Sequence, residues 1–129
     1  FLDTTRADEF TARIVDGRGE MIQEQIIMPG EYRGDALFRV ILKLLRKNLV
    51  QGIVVVSGPG HFSGVRHGVV AANAMAYAMS IPVVGVVRAE HETDDVLIRR
   101  GMVMLSKKRL HEYAVPAYGK EPSITLNNN

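Results

Sequence analysis

Two runs rich in β-branched residues constrain the fold more than any other feature of this 129-residue chain. They are "GIVVV" (52–56) and "IPVVGVV" (81–87), and both stay apolar at every position instead of alternating. Such runs are typical of strands that are covered on both faces of a sheet. The residues between them have helical spacing, and Ser63 is a suitable N-cap for a helix over 63–79. A strand, a helix and a second doubly covered strand predict a right-handed parallel crossover.

Antiparallel strands are predicted ahead of this unit. "FLD" (1–3) fits the end of a buried strand, and "EFTARIVDGRGEMIQEQIIM" (9–28) alternates apolar and polar residues on both sides of Asp16-Gly17. An Asp-Gly pair adopts positive φ angles at little cost, so we expect a hairpin that turns there. Together with 1–3, this hairpin forms a three-stranded antiparallel meander.

A first helix is predicted between the hairpin and the first apolar run. Asp35 can cap this helix. Three antiparallel strands followed by helix, strand, helix and strand is the element order of the ribonuclease H-like fold. We therefore expect an α/β protein with a single ribonuclease H-like lobe, in which helices cover the faces of a mixed five-stranded sheet. The apolar residues that recur at helical spacing are Ala36, Leu37, Val40, Ile41, Leu44 and Leu45.

The last part of the chain allows two structures. "AEHETDD" (89–95) predicts a hydrated acidic loop or the start of a helix, and His91 within it is not expected to bind a metal. Residues 96–119 fit either two strands around Arg100-Gly101 or a helix followed by a strand. We expect one domain over 1–129, in which residues from about 90 to 129 form a divergent C-terminal tail.

The composition excludes several classes of site. Cysteine is absent, which excludes disulfides, thiolate zinc sites and cysteine nucleophiles and fits a cytoplasmic protein. No apolar run is long enough to cross a membrane. The formal net charge is only +2, although basic residues cluster. Such clusters are more often solvated helix ends than nucleic-acid contacts. They are Lys43, Arg46 and Lys47; Arg99 and Arg100; and Lys107, Lys108 and Arg109.

The segment "SGPGHFSGVRHG" (57–68) suggests a phosphate-binding loop but fits neither nucleotide motif. Gly58 and Gly60 match the start of the dinucleotide fingerprint, but Gly64 lies one residue too far along the chain to be its third glycine. The acidic residue of that motif is also missing. The Gly-Lys-Ser/Thr end of a P-loop is also missing. Ser57 and Ser63 do not form Gly-x-Ser-x-Gly, which disfavours a protease. We predict that the segment turns the chain and begins a helix.

Small residues recur at every fourth position along that helix. Gly64, Gly68, Ala72 and Ala76 form a flat stripe that lets another backbone approach closely. Further apolar residues make the helix apolar almost all round, which predicts burial on both sides, one of them by a partner. The alternative is that the stripe packs on the chain's own sheet. The further residues are Ala71, Met75, Ala78 and Met79, and on a second arc Val65, Val69, Val70 and Tyr77.

The same region resembles the TsaB (YeaZ-like) family of tRNA threonylcarbamoyladenosine biosynthesis proteins. The resemblance covers "SGPGHFSGVRHGVVAANAMAYAMSIPVVGV" (57–86), and "FLDTT" (1–5) resembles the family's opening strand. It implies the actin-like ATPase superfamily and a non-catalytic subunit that partners a TsaD-type enzyme; relatives were once labelled glycoproteases. His61 and Ser63 depart from the family pattern. The matching positions are the turn motif Gly58, Pro59, Gly60 and Phe62, and then Gly64, Arg66 and Gly68.

The resemblance also implies a partner-binding helix and no catalytic residue in this chain. A TsaD-type protein, or a second copy in a homodimer, would contact helix 63–79. The chain would meet tRNA only indirectly, and it would bind no membrane and no metal. ATP and Mg²⁺ would be bound in the partner complex and not by this chain alone. The predicted interface residues are Gly64, Arg66, Gly68, Ala71, Ala72, Met75, Ala76 and Met79.

Two other functions stay open. One is an ATP-binding actin-like ATPase or kinase-type lobe that uses Asp3, Thr4 and Thr5. The turn after Asp3 has no glycine that would let a phosphate approach the backbone, and Asp3 can equally cap the turn through Thr5. The other is a tRNA-binding module that rests on the basic residues 107–109. Arg66 is expected either to bond carbonyls of the glycine turn or to cross the interface.

Overall fold

A computed structural model describes residues 1–28 and 36–118. In these residues five strands form one sheet in the order β3-β2-β1-β4-β5. β1 pairs antiparallel with β2, and β2 with β3, whereas β1, β4 and β5 are parallel. This is the predicted mixed α/β sheet of a ribonuclease H-like lobe. The elements are β1 (Leu2–Asp3), β2 (Phe10–Val15), β3 (Met21–Ile27), α1 (Ala36–Lys47), β4 (Ile53–Gly58), α2 (Phe62–Met79), β5 (Val83–Val87) and α3 (Asp94–Leu105).

The predicted hairpin is confirmed, but its turn uses a different glycine. β2 and β3 pair from Phe10 opposite Ile27 onwards. The positive φ is at Gly19 (85°) and not at Gly17. The reason is that the Asp16 carboxylate accepts hydrogen bonds from the backbone N–H groups of Arg18 (2.9 Å) and Glu20 (3.0 Å), which places the reversal two residues later.

Helices cover both faces of the parallel strands, as the two apolar runs predict. Every residue of β4 is buried. Its side chains alternate: Ile53 and Val55 pack with α1 and α2, whereas Val54 and Val56 pack with β5 and with Leu97 of α3. The sheet therefore separates two apolar cores.

α1 and α2 cover the first face of the sheet. α1 buries four of its six predicted apolar positions, and its predicted cap, Asp35, lies outside the described residues. α2 begins one residue earlier than predicted, with His61 at the N-cap position and no side-chain cap. Ser63 is not the cap, because its hydroxyl instead lies 3.2 Å from Nδ1 of His61. None of the helices that the structure describes is long and apolar enough to span a membrane.

The C-terminal part is a helix followed by an irregular segment. Thr93 caps α3 and two aspartates occupy its first turn, so the acidic stretch is a helix start. The prediction of two strands around Arg100-Gly101 is wrong, because Gly101 lies inside α3 and packs closely against Val54. The predicted final strand is also absent from the described residues. Residues 106–118 run back along α2, where Ala114 exchanges two 2.9 Å hydrogen bonds with the Asn73 amide.

Candidate functional site

The glycine turn after β4 is filled by the protein's own backbone. A Cβ added at Gly60 would lie 2.6 Å from the Thr5 carbonyl oxygen, and one at Gly58 would collide with the Ala117 carbonyl. Hydrogen bonds hold these segments in place: His61 N–H donates to the Thr5 carbonyl (3.0 Å) and Ala117 N–H to the Ser57 carbonyl (2.7 Å). The glycines therefore make room for two backbone segments of the same chain and leave no space for a phosphate on those sides.

The small-residue stripe of α2 lies against β1 and not on the surface. Gly64 and Gly68 both face Thr4, which is fully buried and donates its hydroxyl to the Gly64 carbonyl (2.6 Å). The prediction that the stripe lines a partner interface is therefore wrong, and the alternative that it packs on the chain's own sheet is confirmed. The stripe lets α2 approach the strand closely, which hides its members. Six predicted interface residues are buried in this way: Gly64, Gly68, Ala71, Ala72, Met75 and Ala76.

The opposite side of α2 remains exposed and partly apolar. Val70 is 54% exposed and Tyr77 is 66% exposed. They lie seven residues apart on one side of the helix, with Ala74 and Ala78 between and beside them. We call these four residues the outer face of α2. Of the predicted interface residues, Arg66 and Met79 are exposed, and Arg66 makes no hydrogen bond or ion pair with the described residues, so the turn carbonyls are not its partners.

The turn motif places one aromatic ring beside the outer face. Phe62 is 58% exposed, and its ring stacks on that of Tyr118 at a centroid distance of 4.5 Å. Tyr77 has His111 as a neighbour at 6.0 Å. The C-terminal segment thus borders α2 from its first turn to its last, and the aromatic residues belong to a continuous exposed surface.

Asp3 is the buried member of a half-buried ion-pair network and not an open ligand. One carboxylate oxygen accepts from the backbone N–H (2.9 Å) and the hydroxyl (2.6 Å) of Thr5, which is the predicted capping role. The other accepts from the Arg88 guanidinium at 3.1 Å. Arg88 also donates to Asp94 (2.6 Å), which in turn pairs with Arg13 (3.0 Å). The network joins β1, β2, β5 and α3.

The three candidate nucleotide-binding residues do not fit a Mg²⁺–ATP site in this arrangement. Asp3, Thr4 and Thr5 are all buried, with exposed fractions of 7%, 0% and 8%. The Asp3 carboxylate is already neutralised by Arg88, and the Thr4 hydroxyl points at a carbonyl of α2. Among the described residues, no group of three or more acidic or histidine side chains could hold a metal ion. Sequence reasoning missed Arg88, which is 85 positions from Asp3 and follows no motif.

Arginine neutralises one residue of the acidic loop before α3, Glu92, whereas Glu90, His91 and Asp95 are exposed. Glu92 pairs with Arg100 through two hydrogen bonds of 2.6 Å and 3.0 Å, and it accepts a third from Ala89 N–H at 2.7 Å. These bonds, the one from Arg100 above all, hold the pKa of Glu92 at about 2, well below its usual 4.5. Glu92 therefore anchors the loop that leads into α3.

We expect the Glu92 carboxylate to stabilise the fold above pH 4.5 and to lose that contribution as the pH falls towards 2, because its pKa is depressed in the folded state. NMR titration of the side-chain carboxyl carbon measures this directly. The variant Arg100→Gln should return the pKa of Glu92 towards its ordinary value. An unchanged titration in that variant would show that the Arg100 pair does not control Glu92.

The element order and the mixed sheet define the fold class of this protein, which is a ribonuclease H-like lobe. The family model described as "TsaD: tRNA N6-adenosine threonylcarbamoyltransferase" matches residues 37–98. Among solved structures, an uncharacterised protein with similarity to peptidase YeaZ from Pseudomonas aeruginosa is similar with 23% identity and a TM-score of 0.54. YeaZ from Pseudomonas aeruginosa is similar with 25% identity and a TM-score of 0.52.

Each of the two structural matches covers 67% of this chain and 41% of the solved chain. This sequence therefore spans about two fifths of the length of the structures that it resembles. No curated protein matches the chain. The family match and the YeaZ structures agree with the resemblance carried by residues 57–86. They support a TsaB/YeaZ-like protein.

Proposed function

We propose that this chain is a non-catalytic subunit that supports a TsaD-type enzyme in the threonylcarbamoyladenosine modification of tRNA. The similarity to the TsaD family model and to YeaZ supports the process. The observation that carries the non-catalytic role is the engagement of Asp3. Both of its oxygens bind groups of the same chain, Thr5 and Arg88, where an ATPase lobe needs a carboxylate free for the hydrated cation.

The glycine turn after β4 also supports a non-catalytic role. A loop that grips phosphate offers backbone N–H groups to the anion. Here His61 N–H already donates to the Thr5 carbonyl, and the Thr5 backbone fills the space beside Gly60. Phosphate binding would require both segments to move apart, which would break the packing of Thr4 under α2.

The partner surface that we propose is the outer face of α2 together with Arg66 and Met79. Exposed valine and tyrosine side chains lose water on association, and tyrosine is enriched among residues that dominate binding energy. The buried stripe keeps α2 rigid against β1, so the outer face is held in one position. A TsaD-type protein is the proposed partner, and a second copy of the chain is the alternative that the same surface allows.

Charged substitutions on the outer face should abolish partner binding. We expect Val70→Asp with Tyr77→Asp to reduce co-purification with the TsaD-type protein of the same organism at least tenfold, because two charges would be buried in an apolar contact. Val103→Asp is the matched control, since Val103 of α3 is 59% exposed and lies on the other face of the sheet. All variants must retain the unfolding midpoint of the unchanged protein.

The results distinguish a TsaD-type partner from a second copy of the chain. Equal co-purification of the α2 variant and the control would exclude the outer face as the interface. Sedimentation of the chain alone shows whether it forms a self-pair. If the α2 variant dissociates a dimer but leaves binding to the TsaD-type protein intact, the outer face serves the homodimer.

We expect no measurable binding of ATP to the isolated chain in the presence of Mg²⁺, because no candidate residue offers a free ligand. Isothermal titration calorimetry with millimolar nucleotide tests this. Tight binding would contradict the non-catalytic proposal and favour the ATPase or kinase-type lobe. The variant Arg88→Met provides a sensitive second measurement, since it removes the cation that competes for Asp3.

A further inference from the structure

We infer that one end of this lobe, formed by the last turn of α1 and the residues after α3, binds the phosphate backbone of RNA. The inference deepens the proposed function, on which it rests, because it gives this chain a direct contact with tRNA. The basic clusters involved are far apart in the sequence, and only the fold brings them to one end of the sheet.

The topology fixes this placement. α1 ends at Lys47 and β4 begins at Ile53, so the last turn of α1 lies at the amino ends of the parallel strands. α3 ends there as well, because its last residue, Leu105, packs on Gly52 at the start of β4. The two helix ends border the same cavity of about 530 Å³, which Leu49 lines on one side and Ser106 on the other. We call this region the basic end.

The cations of the basic end are exposed or half-buried, and none has an ion pair among the described residues. Two acidic residues at this end accept hydrogen bonds from backbone N–H groups, whereas Glu20 is exposed. Asp16 accepts from two backbone N–H groups of the β2–β3 turn, and Glu112 accepts from the Arg109 backbone N–H at 3.1 Å. The cations are therefore available to an external anion. They are Arg46, Lys47, Lys107, Lys108 and Arg109.

The opposite end of the lobe carries most of the acidic residues that the structure describes, and two of its arginines are neutralised. Arg88 pairs with Asp3 and Asp94, and Arg6 pairs with Asp8. A net charge of only +2 therefore hides a separation of charge along the strand direction. Such a separation orients a polyanion towards the basic end before contact is made.

The chemistry favours RNA over a membrane. A helix that binds a lipid surface needs an exposed apolar side to insert. α1 turns Leu44 and Leu45 into the core, and the most exposed apolar residue at this end, Leu49 (96%), lies after the helix and not on it. Cations distributed over two helix ends, on opposite faces of the sheet, suit contacts with separate phosphates of one nucleic-acid backbone. The contacts would be to phosphates, so they position the RNA without reading its sequence.

The test measures binding of unmodified tRNA to the isolated chain by fluorescence anisotropy between 50 and 200 mM salt, a range in which phosphate contacts respond steeply (roughly 0.7–0.9 in logarithmic slope per contact). Lys47→Gln with Lys107→Gln removes one cation from each cluster. We expect affinity to fall roughly tenfold and the salt slope to fall by about 2, because each substitution releases one phosphate. Arg6→Gln with Arg99→Gln is the control that removes two exposed cations elsewhere.

Each result decides the inference. A fall confined to the Lys47 and Lys107 variant supports the basic end. Equal falls in both variants, absence of binding at 50 mM salt, or binding to vesicles of anionic lipid with none to tRNA would each overturn it. Co-purification with the TsaD-type protein is measured separately, so failure of RNA binding leaves the partner proposal to its own test.

Discussion

Replacement of Gly68 by alanine is expected to destabilise the protein by about 1–3 kcal/mol or more. The new Cβ would collide with the Thr4 hydroxyl and lie 3.0 Å from the Thr4 methyl group. Thr4 is fully buried and its hydroxyl donates to the Gly64 carbonyl, so it cannot turn away without leaving a buried polar group unpaired. α2 would have to move off β1.

Chemical denaturation of Gly68→Ala beside Gly17→Ala checks this expectation. Gly17 is the matched control because a Cβ there meets no atom within 4 Å and its φ is not positive. That substitution should be neutral or slightly stabilising, since alanine restricts the unfolded chain. The double variant Thr4→Ala with Gly68→Ala should recover part of the loss, because it removes the colliding atoms. If Gly68→Ala is as stable as the control, α2 does not lie against Thr4.

Replacement of Arg88 by methionine is expected to cost about 3 kcal/mol of unfolding free energy. The change removes the only side-chain cation that contacts Asp3 among the described residues and leaves that buried carboxylate without a counter-charge. The shorter of the two ion pairs that Asp94 forms with arginine is removed at the same time. Methionine keeps most of the aliphatic volume, so the effect reports on charge and hydrogen bonding rather than on a cavity.

Two further variants isolate the cause of that destabilisation. Arg6→Met breaks an ion pair whose side chains are 60% and 66% exposed, and it should cost less than about 1 kcal/mol. Asp3→Asn combined with Arg88→Met should be more stable than Arg88→Met alone, because no unpaired charge remains. Strictly additive effects of the two substitutions would show that Asp3 and Arg88 are not coupled.

The strands and helices were predictable because their burial patterns are local. The unbroken run rich in β-branched residues at 52–56 is typical of a strand with both faces covered, and the alternation at 9–28 is typical of a half-covered hairpin, so the mixed sheet could be predicted. The first and last residues of the elements were less predictable. α2 begins before Ser63 because the backbone of His61 is anchored to Thr5, a contact that no local pattern contains.

The main wrong prediction concerned which side of α2 faces inward. A helix that is apolar almost all round gives no local indication of which side turns inward. Thr4 decided it, since its position under α2 demands residues without side chains at two successive turns. The glycines that suggested a docking stripe are buried for that reason, and the proposed partner surface moves to Val70 and Tyr77.

From β1 to β5, the order of residues alone determined which segments are strands, which are helices and in what succession they occur, because burial with a period of two or 3.6 residues is written in neighbouring positions. It left the elements after β5 open. It also determined the glycine turn that carries the YeaZ resemblance. Only the tertiary structure decided that Arg88 neutralises Asp3, that α2 hides its small residues, and that two basic helix ends share one end of the sheet. These depend on contacts between residues far apart in the chain, and such contacts exist only once the sheet and its helices have packed.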